Sequence, residues 1–405
     1  MSSQFQTLAA GVAMLKNWYQ GPLKSQFNDD CNIYRGAELG KESWSGQQVI
    51  RPLKVRRNQG VGASADNGIL PKIGSQGTVQ ATILSAYHYL RFGVTGPMIK
   101  SSQSDKGSFV RTAAYELEEG YKDLMSDLNR ALGQDGSANL AIVNASANAS
   151  TTITVGGRVS GEIADKFIDI QSELDIWDTT GTVQKASGVT VLGMSGVNTS
   201  NVTLQLDQPV TVISTDRVVR AGALGNETQG LLSALDGGTS TIYGIVRSSY
   251  KSYQGSVVDA GGAPLTLDLL NQVEALARRR GGDDFECVYS DFDSERYYRR
   301  LLLSDKRYVN TIEGDGGFSS KKRKYLEFGG KPWVPDKDFQ PTIVWINQGG
   351  FTKYILAEMD FADETGSMMI AQTDVDAFEV RVRNFLTLFA EKPSGAGRLK
   401  NFVSP

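Results

Sequence analysis

Between Ser108 and Leu132 the apolar residues Val110, Ala114, Leu117, Tyr121, Leu124, Leu128 and Leu132 recur at steps of four and three. That spacing keeps them on one stripe of an α-helix. Glu116, Glu119, Lys122, Asp123, Asp127 and Arg130 fall largely on the other side. Ser108 stands at the N-cap position, and Gly133 stands where helices commonly stop in a left-handed residue. Such a helix would be roughly 37 Å long, about twice the usual length. Gly120 in its middle costs about 1 kcal/mol relative to alanine. By itself the stretch also suits an ordinary surface helix of an enzyme, so its flanks decide what it is for.

On the N-terminal side, Leu8, Val12, Leu15 and Tyr19 share one helical face before Gly21-Pro22. So little apolar surface cannot fold alone, so this arm must pack on the body or on another subunit. Residues 43–95 follow as one long β-hairpin. Val49, Leu53 and Val55 alternate on the way out, with Pro52 restricting that strand to an edge. Val79, Ala81, Ile83, Tyr87 and Tyr89 hold a period of two on the way back. Between them lies a loop loaded with Gly60, Gly62, Gly68, Gly74 and Gly77. It contains neither phosphate-loop nor dinucleotide-binding spacing. A glycine-rich tip reaching onto a neighbouring chain explains it better, because an isolated ribbon is marginal in water.

On the C-terminal side, Asn144–Ser150 reads as a low-complexity linker. Residues 151–222 turn to Thr, Val, Ser and Gly, with short alternating runs at Val189–Leu192, Val202–Leu206 and Val210–Ile213. This is the pattern of a small β-sandwich or barrel, inserted as a module. Beyond it Thr266 caps a helix closed by Gly281-Gly282, Phe285–Ser290 is a strand, and Asp291–Leu303 is a second helix. Strands Tyr325–Trp333 and Thr342–Ile346 lie around Gly329-Gly330, and Phe378, Val380 and Val382 alternate in a late strand that returns beside the long helix.

Composition narrows the class. The 405 residues are 40% hydrophobic and 21% charged, with a net charge of −3, which suits a globular chain and argues against a dedicated duplex binder. Cys31 and Cys287 are isolated, fit no zinc spacing and point to a reducing compartment. No run approaches a membrane span and no signal peptide opens the chain. The one histidine, His88, lies in a hairpin strand, where a surface or interface role outweighs a catalytic triad. The acidic groups Asp283-Asp284, Asp291 and Asp293, then Asp360, Asp363 and Glu364, then Asp374 and Asp376, lack calcium-loop spacing. Arg278-Arg279-Arg280 and Lys321-Lys322-Arg323-Lys324 read as solvated faces or sites of inter-subunit ion pairing.

An arm, an extended hairpin, a long helix, an α/β region and returning strands together resemble the tailed-phage major capsid protein of the Hong Kong 97-like fold. The tract Glu119-Gly120-Tyr121-Lys122-Asp123-Leu124 through Leu128-Asn129-Arg130-Ala131-Leu132 carries the likeness, with the ending Glu391-Lys392-Pro393 and Leu399-Lys400-Asn401-Phe402. The resemblance implies an α+β fold. Its parts would be an N-arm at 1–42, an E-loop hairpin at 43–95 and a peripheral domain with the spine helix at 96–147. An inserted β-rich domain would fill 148–224, an axial domain 225–345, and return strands 346–405. It further implies a structural subunit, not an enzyme, with no cofactor or metal, self-assembling into hexamers and pentamers around phage double-stranded DNA. Arg56, Arg57 and Lys72 on the E-loop, with Glu119, Lys122 and Arg130 on the spine, would make inter-subunit contacts. Scaffolding, portal and decoration proteins are its implied partners, the packaged DNA is touched weakly at most, and no membrane is involved. The chain lacks the charged helical segment of self-scaffolding members, which implies a separate scaffold or none. Assembly in the host cytoplasm into a virion capsid follows. A cross-link of the family's kind would join Lys54 or Lys72 to Asn384 or Asn401. The alternatives are an encapsulin-like nanocompartment shell and a two-domain carbohydrate-active enzyme, the latter favoured by a cleft with convergent carboxylates.

Overall fold

The computed structural model describes residues 28, 30–36, 38–39, 44, 46–97, 106–236, 240–282, 284–302, 312–314, 323–362, 369–371, 373 and 375–405. The expected N-terminal helix around Leu8–Tyr19 lies outside the described residues. The long helix spans Lys106–Gly133. Leu124, Leu128 and Leu132 of its stripe are buried, Leu128 and Leu132 completely. They join Ile33, Ile83, Leu231, Val382 and Leu386 in the largest core of the α+β body. Gly120 has a packing reason: a Cβ there would come within 2.9 Å of Leu90 Cδ2. The glycine lets the neighbouring strand lie close, which offsets its poor helix propensity.

That neighbouring strand corrects the hairpin expectation. Gln48–Arg56 and Gly77–Leu84 do form an antiparallel two-stranded ribbon, but the return strand breaks at Ser85. Ala86–Thr95 instead pairs with the late strand Ala377–Ala390, Ala86 opposite Leu386 and Thr95 opposite Ala377. Phe351–Phe361 and Met369–Ala371 flank the other edge of that late strand. Val380, Val382, Asn384, Leu386 and Leu388 are all buried along it, so the returning strand is central to its sheet. The ribbon is rooted in the same core through Val55, Ala81 and Ile83. Tyr243 fastens its base, its carbonyl accepting from Thr82 N at 2.9 Å and its hydroxyl donating to the Leu388 carbonyl at 2.7 Å.

The second body is a seven-stranded mixed sheet in the order 256–259, 397–400, 343–346, 287–290, 331–335, 323–328, 312–314. Helix Leu267–Gly281 belongs with it, capped by the Thr266 hydroxyl and ended by left-handed Gly282. Helix Phe292–Leu301 is capped by the Asp291 carboxylate. Trp333 and Trp345 are fully buried here with Phe285, Phe328 and Tyr298.

The third body is a closed barrel in the strand order 217–220, 139–143, 147–156, 201–212, 184–195, 173–177. Its core draws only on residues between Leu140 and Val218. Two boundaries differ from the sequence expectation. Asn139–Val143, assigned there to the helix-bearing region, is a barrel strand. Asn144–Ser150 is not a linker, because Ala147–Gly156 pairs with Asn201–Val212. Small polar residues are tolerated in a strand whose neighbours supply the burial. Among the described residues no helix is long and apolar enough to cross a membrane.

Candidate assembly surfaces

The tip of the ribbon, residues 57–76, carries no regular strand. Asn58 Oδ1 accepts from Gly60 N at 2.7 Å, and Gly68 N donates to the Ala65 carbonyl at 2.9 Å, folding the tip back on itself. Its apolar residues point into solvent: Val61 is 86% exposed, Ile69 97%, Leu70 77% and Ile73 103%. Arg56, Arg57 and Lys72 are exposed beside them. Four nearly bare aliphatic side chains thus lie on one loop that also carries three exposed cations. Sequence reasoning picked out the cations and the glycines and passed over these aliphatics, although Ile69-Leu70 between polar residues was the available signal.

A second surface lies on the outer face of the sheet. Tyr87 and Tyr89 are 55% and 57% exposed and meet Phe385 edge-on at 4.9 and 5.5 Å. Arg91 and Arg381 both bind the buried Glu379, each at 2.6 Å, and Arg383 binds Asp360 at 2.9 Å. Tyrosine and arginine are the residues most enriched at interface centres.

The helix residues are arranged differently from expectation. Lys122 pairs with Glu119 at 2.7 Å and Glu118 at 3.4 Å, a solvated intrahelical set. Arg130, expected on the polar face, is 2% exposed. Its guanidinium binds Glu227 and reaches Asp127 at 3.0 Å. The segment carrying Glu227 covers this side of the helix, and no helical periodicity reports that. His88, expected at the surface or at an interface, is half-buried. It lies directly opposite Asn384, its Nε2 is buried with no hydrogen-bond partner among the described residues, and burial lowers its pKa. The charges that reach it are Asp127, Glu227, Arg130 and Arg220. Asn384 itself is fully buried, its amide near the Tyr34 hydroxyl, out of reach of another chain's lysine.

A groove of about 630 Å³ runs where the long helix, the sheet and the barrel meet, lined in part by Leu90, Leu124, Asp127, Phe167, Arg220 and Asp338. Two of its carboxylates, Asp127 and Asp338, are engaged in ion pairs. Burial opposes the Asp127 charge, but Arg130 and Arg220 outweigh it and hold that carboxyl down at about 2. Asp338 binds Lys337 at 2.9 Å. Elsewhere Asp291 caps a helix, Asp284 pairs with Arg278 and Asp360 with Arg383. Asp283, Asp363, Glu364, Asp374, Lys321 and Lys322 lie outside the described residues. Among the described residues no three His, Cys, Asp or Glu side chains converge as a metal site.

No family model matches this chain, and no curated protein matches its sequence. Its three-dimensional likenesses are extensive. Against the capsid asymmetric unit of cyanophage A-1(L), identity is 13%, with 98% of this chain and 99% of that chain covered at a TM-score of 0.63. Against the capsid of a native gene transfer agent particle the values are 8%, 99%, 100% and 0.53. Against the encapsulin of Synechococcus elongatus PCC 7942 in its holo complex they are 8%, 98%, 96% and 0.51. The chain therefore has the fold of phage and related capsid shell proteins along nearly its whole length.

Proposed function

We propose that the chain is a tailed-phage major capsid protein, a structural subunit whose copies close hexamers and pentamers of an icosahedral shell around double-stranded DNA. The observation that carries this is the joint occurrence of a full-length shell-protein fold and a ribbon tip built to be covered. Burying Val61, Ile69, Leu70 and Ile73 on a neighbour would contribute about 6–12 kcal/mol per subunit before ordering costs. Heterologous contacts of this kind close rings when the rotation permits.

In family terms the ribbon is the E-loop, the helix Lys106–Gly133 the spine and the barrel the inserted domain, with the N-arm at 1–42 and the axial domain at 225–345. On this reading the E-loop is taken as 48–84, the bounds of the paired ribbon, and the inserted domain as beginning at Asn139, the first barrel strand. Arg56, Arg57 and Lys72 flank the apolar tip as inter-subunit contacts, with Glu119 and Lys122 on the spine. Arg130 drops out of that set because its guanidinium is taken up inside the chain. Scaffolding, portal and decoration proteins are the further partners, and the virion capsid, assembled in the host cytoplasm, is the location. The encapsulin likeness at a TM-score of 0.51 favours a second reading, a nanocompartment shell with a non-nucleic cargo.

Limited proteolysis tests the tip directly. Free subunits should be cut within 57–76, and assembled particles should be protected there. Equal cleavage in both states refutes docking of the tip. Nuclease-protected DNA in purified particles separates the phage reading from the nanocompartment.

A further inference from the structure

We propose that Asp336 and Asp338, bridged by the side-chain amide of Asn129, form a proton-operated latch that holds the segment Cys31–Gly36 on the long helix. The latch is a property of the single chain and does not depend on the shell reading.

The geometry is unusual for two acidic groups. Asp336 is fully buried, Asp338 is 6% exposed and Asn129 is fully buried. Asn129 Nδ2 lies 3.0 and 3.1 Å from the two Asp336 oxygens and 2.8 Å from Asp338 Oδ2. Two amide hydrogens thus face three carboxylate oxygens. The other end of the same amide is the holding end: Asn129 Oδ1 accepts from Ile33 N and Tyr34 N, both at 3.0 Å. Asp336 holds the segment too, accepting from Asn32 N at 3.2 Å, and it also accepts from Asp338 N at 2.8 Å. Asn32 Nδ2 donates to the Pro335 carbonyl at 2.9 Å. The segment's hydrogen bonds to the long helix pass through one asparagine, itself held by a buried carboxylate, while Ile33 packs in the core.

Two carboxylates this close and this buried do not both ionise freely. Burial, and then the Asp338 charge, raise Asp336 to about 6 against hydrogen bonds from Asp338 N and Asn129. The other groups facing the pair do not cancel this. From the loop itself Lys337 binds Asp338, and from the long helix Ser126 shares that lysine. From the segment come Arg35 and Cys31, whose thiol burial pushes up to about 11 and so keeps neutral. From the barrel Lys166 lies in the field of Asp338. With a proton on Asp336 the pair carries one charge. Without it, two carboxylate charges lie buried side by side around one amide, with Lys337 as the one cation bound to either of them among the described residues.

The direction follows. A carboxyl whose pKa is raised in the closed state binds its proton more tightly there than when the segment is released. Closure is therefore complete below about pH 4 and weakens as pH rises through about 6. A rise of two pKa units corresponds to a roughly hundredfold increase in the opening equilibrium across that window.

Hydrogen exchange of the full-length free subunit, corrected for the intrinsic pH dependence of amide chemistry, reads the latch at Ile33 and Tyr34. Their opening should rise up to about a hundredfold between pH 4 and 7, with a midpoint near 6. Asp336→Asn, a permanently neutral side chain, should keep these amides protected and flatten the profile. Asp338→Asn removes the like charge and should move the midpoint down toward the ordinary carboxylate range while the fold is kept. A flat wild-type profile, or an unmoved midpoint in Asp338→Asn, overturns the proposal. Should Asp336→Asn fail to fold, the Asp338→Asn midpoint decides alone.

Discussion

Replacing Arg130 with methionine tests whether the buried ion cluster holds the long helix to the barrel strand bearing Arg220 and the segment bearing Glu227. Arg130 and Glu227 side chains are 3% and 6% exposed, and Asp127 is 18% exposed. Asp127 keeps a second partner, Arg220 at 3.3 Å. Glu227 has no second ion pair of comparable burial among those described, so Arg130→Met leaves a carboxylate in a low-dielectric site without its counterion. Breaking one side of a buried pair costs about 3–5 kcal/mol, whereas replacing both sides with packed apolar groups is often close to neutral. The expected result in urea unfolding is therefore a loss of about 3–5 kcal/mol for Arg130→Met. The double variant Arg130→Met, Glu227→Leu should recover most of it, a coupling of at least about 2 kcal/mol. A single-variant loss below about 1 kcal/mol, or a double variant no better than the single, would refute the claim that desolvated charge dominates this junction.

Other consequences follow from the same packing. Leu128→Ala, at a fully buried position of the long helix, should cost about 2–5 kcal/mol by chemical denaturation. Asp127 sits below its ordinary value at about 2, so its contribution is full above about pH 4 and is lost as pH falls toward 2. Asp127→Asn should therefore remove about 2 kcal/mol at pH 7 and less than about 0.5 kcal/mol at pH 2, read from paired urea titrations. Val219 pairs with Asn139, so the barrel's ends are adjacent. Replacing 140–218 by a short Gly/Ser linker should leave the remaining two bodies folded, judged by near-ultraviolet circular dichroism of the buried Trp333 and Trp345.

What the sequence disclosed depends on how local the physics is. The stripe from Leu117 to Leu132 located the helix because 3.6-residue periodicity is local, and Thr266, Gly281-Gly282 and Gly329-Gly330 located their cap, stop and turn for the same reason. Ala86–Thr95 was readable as a strand by its alternation, but its partner lies some 290 residues later and alternation does not name partners. The Asn/Ala/Ser run at 144–150 looked like a linker because strand preference there comes from barrel neighbours, not from its own side chains. Arg130 was misplaced because its burial is imposed by the segment carrying Glu227, a contact invisible to any window. The exposed aliphatics of the tip were legible in composition, yet exposure itself is a tertiary fact.

Electron microscopy of the purified full-length chain, alone and with its scaffold if one is required, tests the central claim most directly. Rings of five and six copies or closed shells are expected, abolished when 58–76 is trimmed while the subunit's circular dichroism stays nearly unchanged. A strictly monomeric protein at high concentration, with scaffold present, would contradict it.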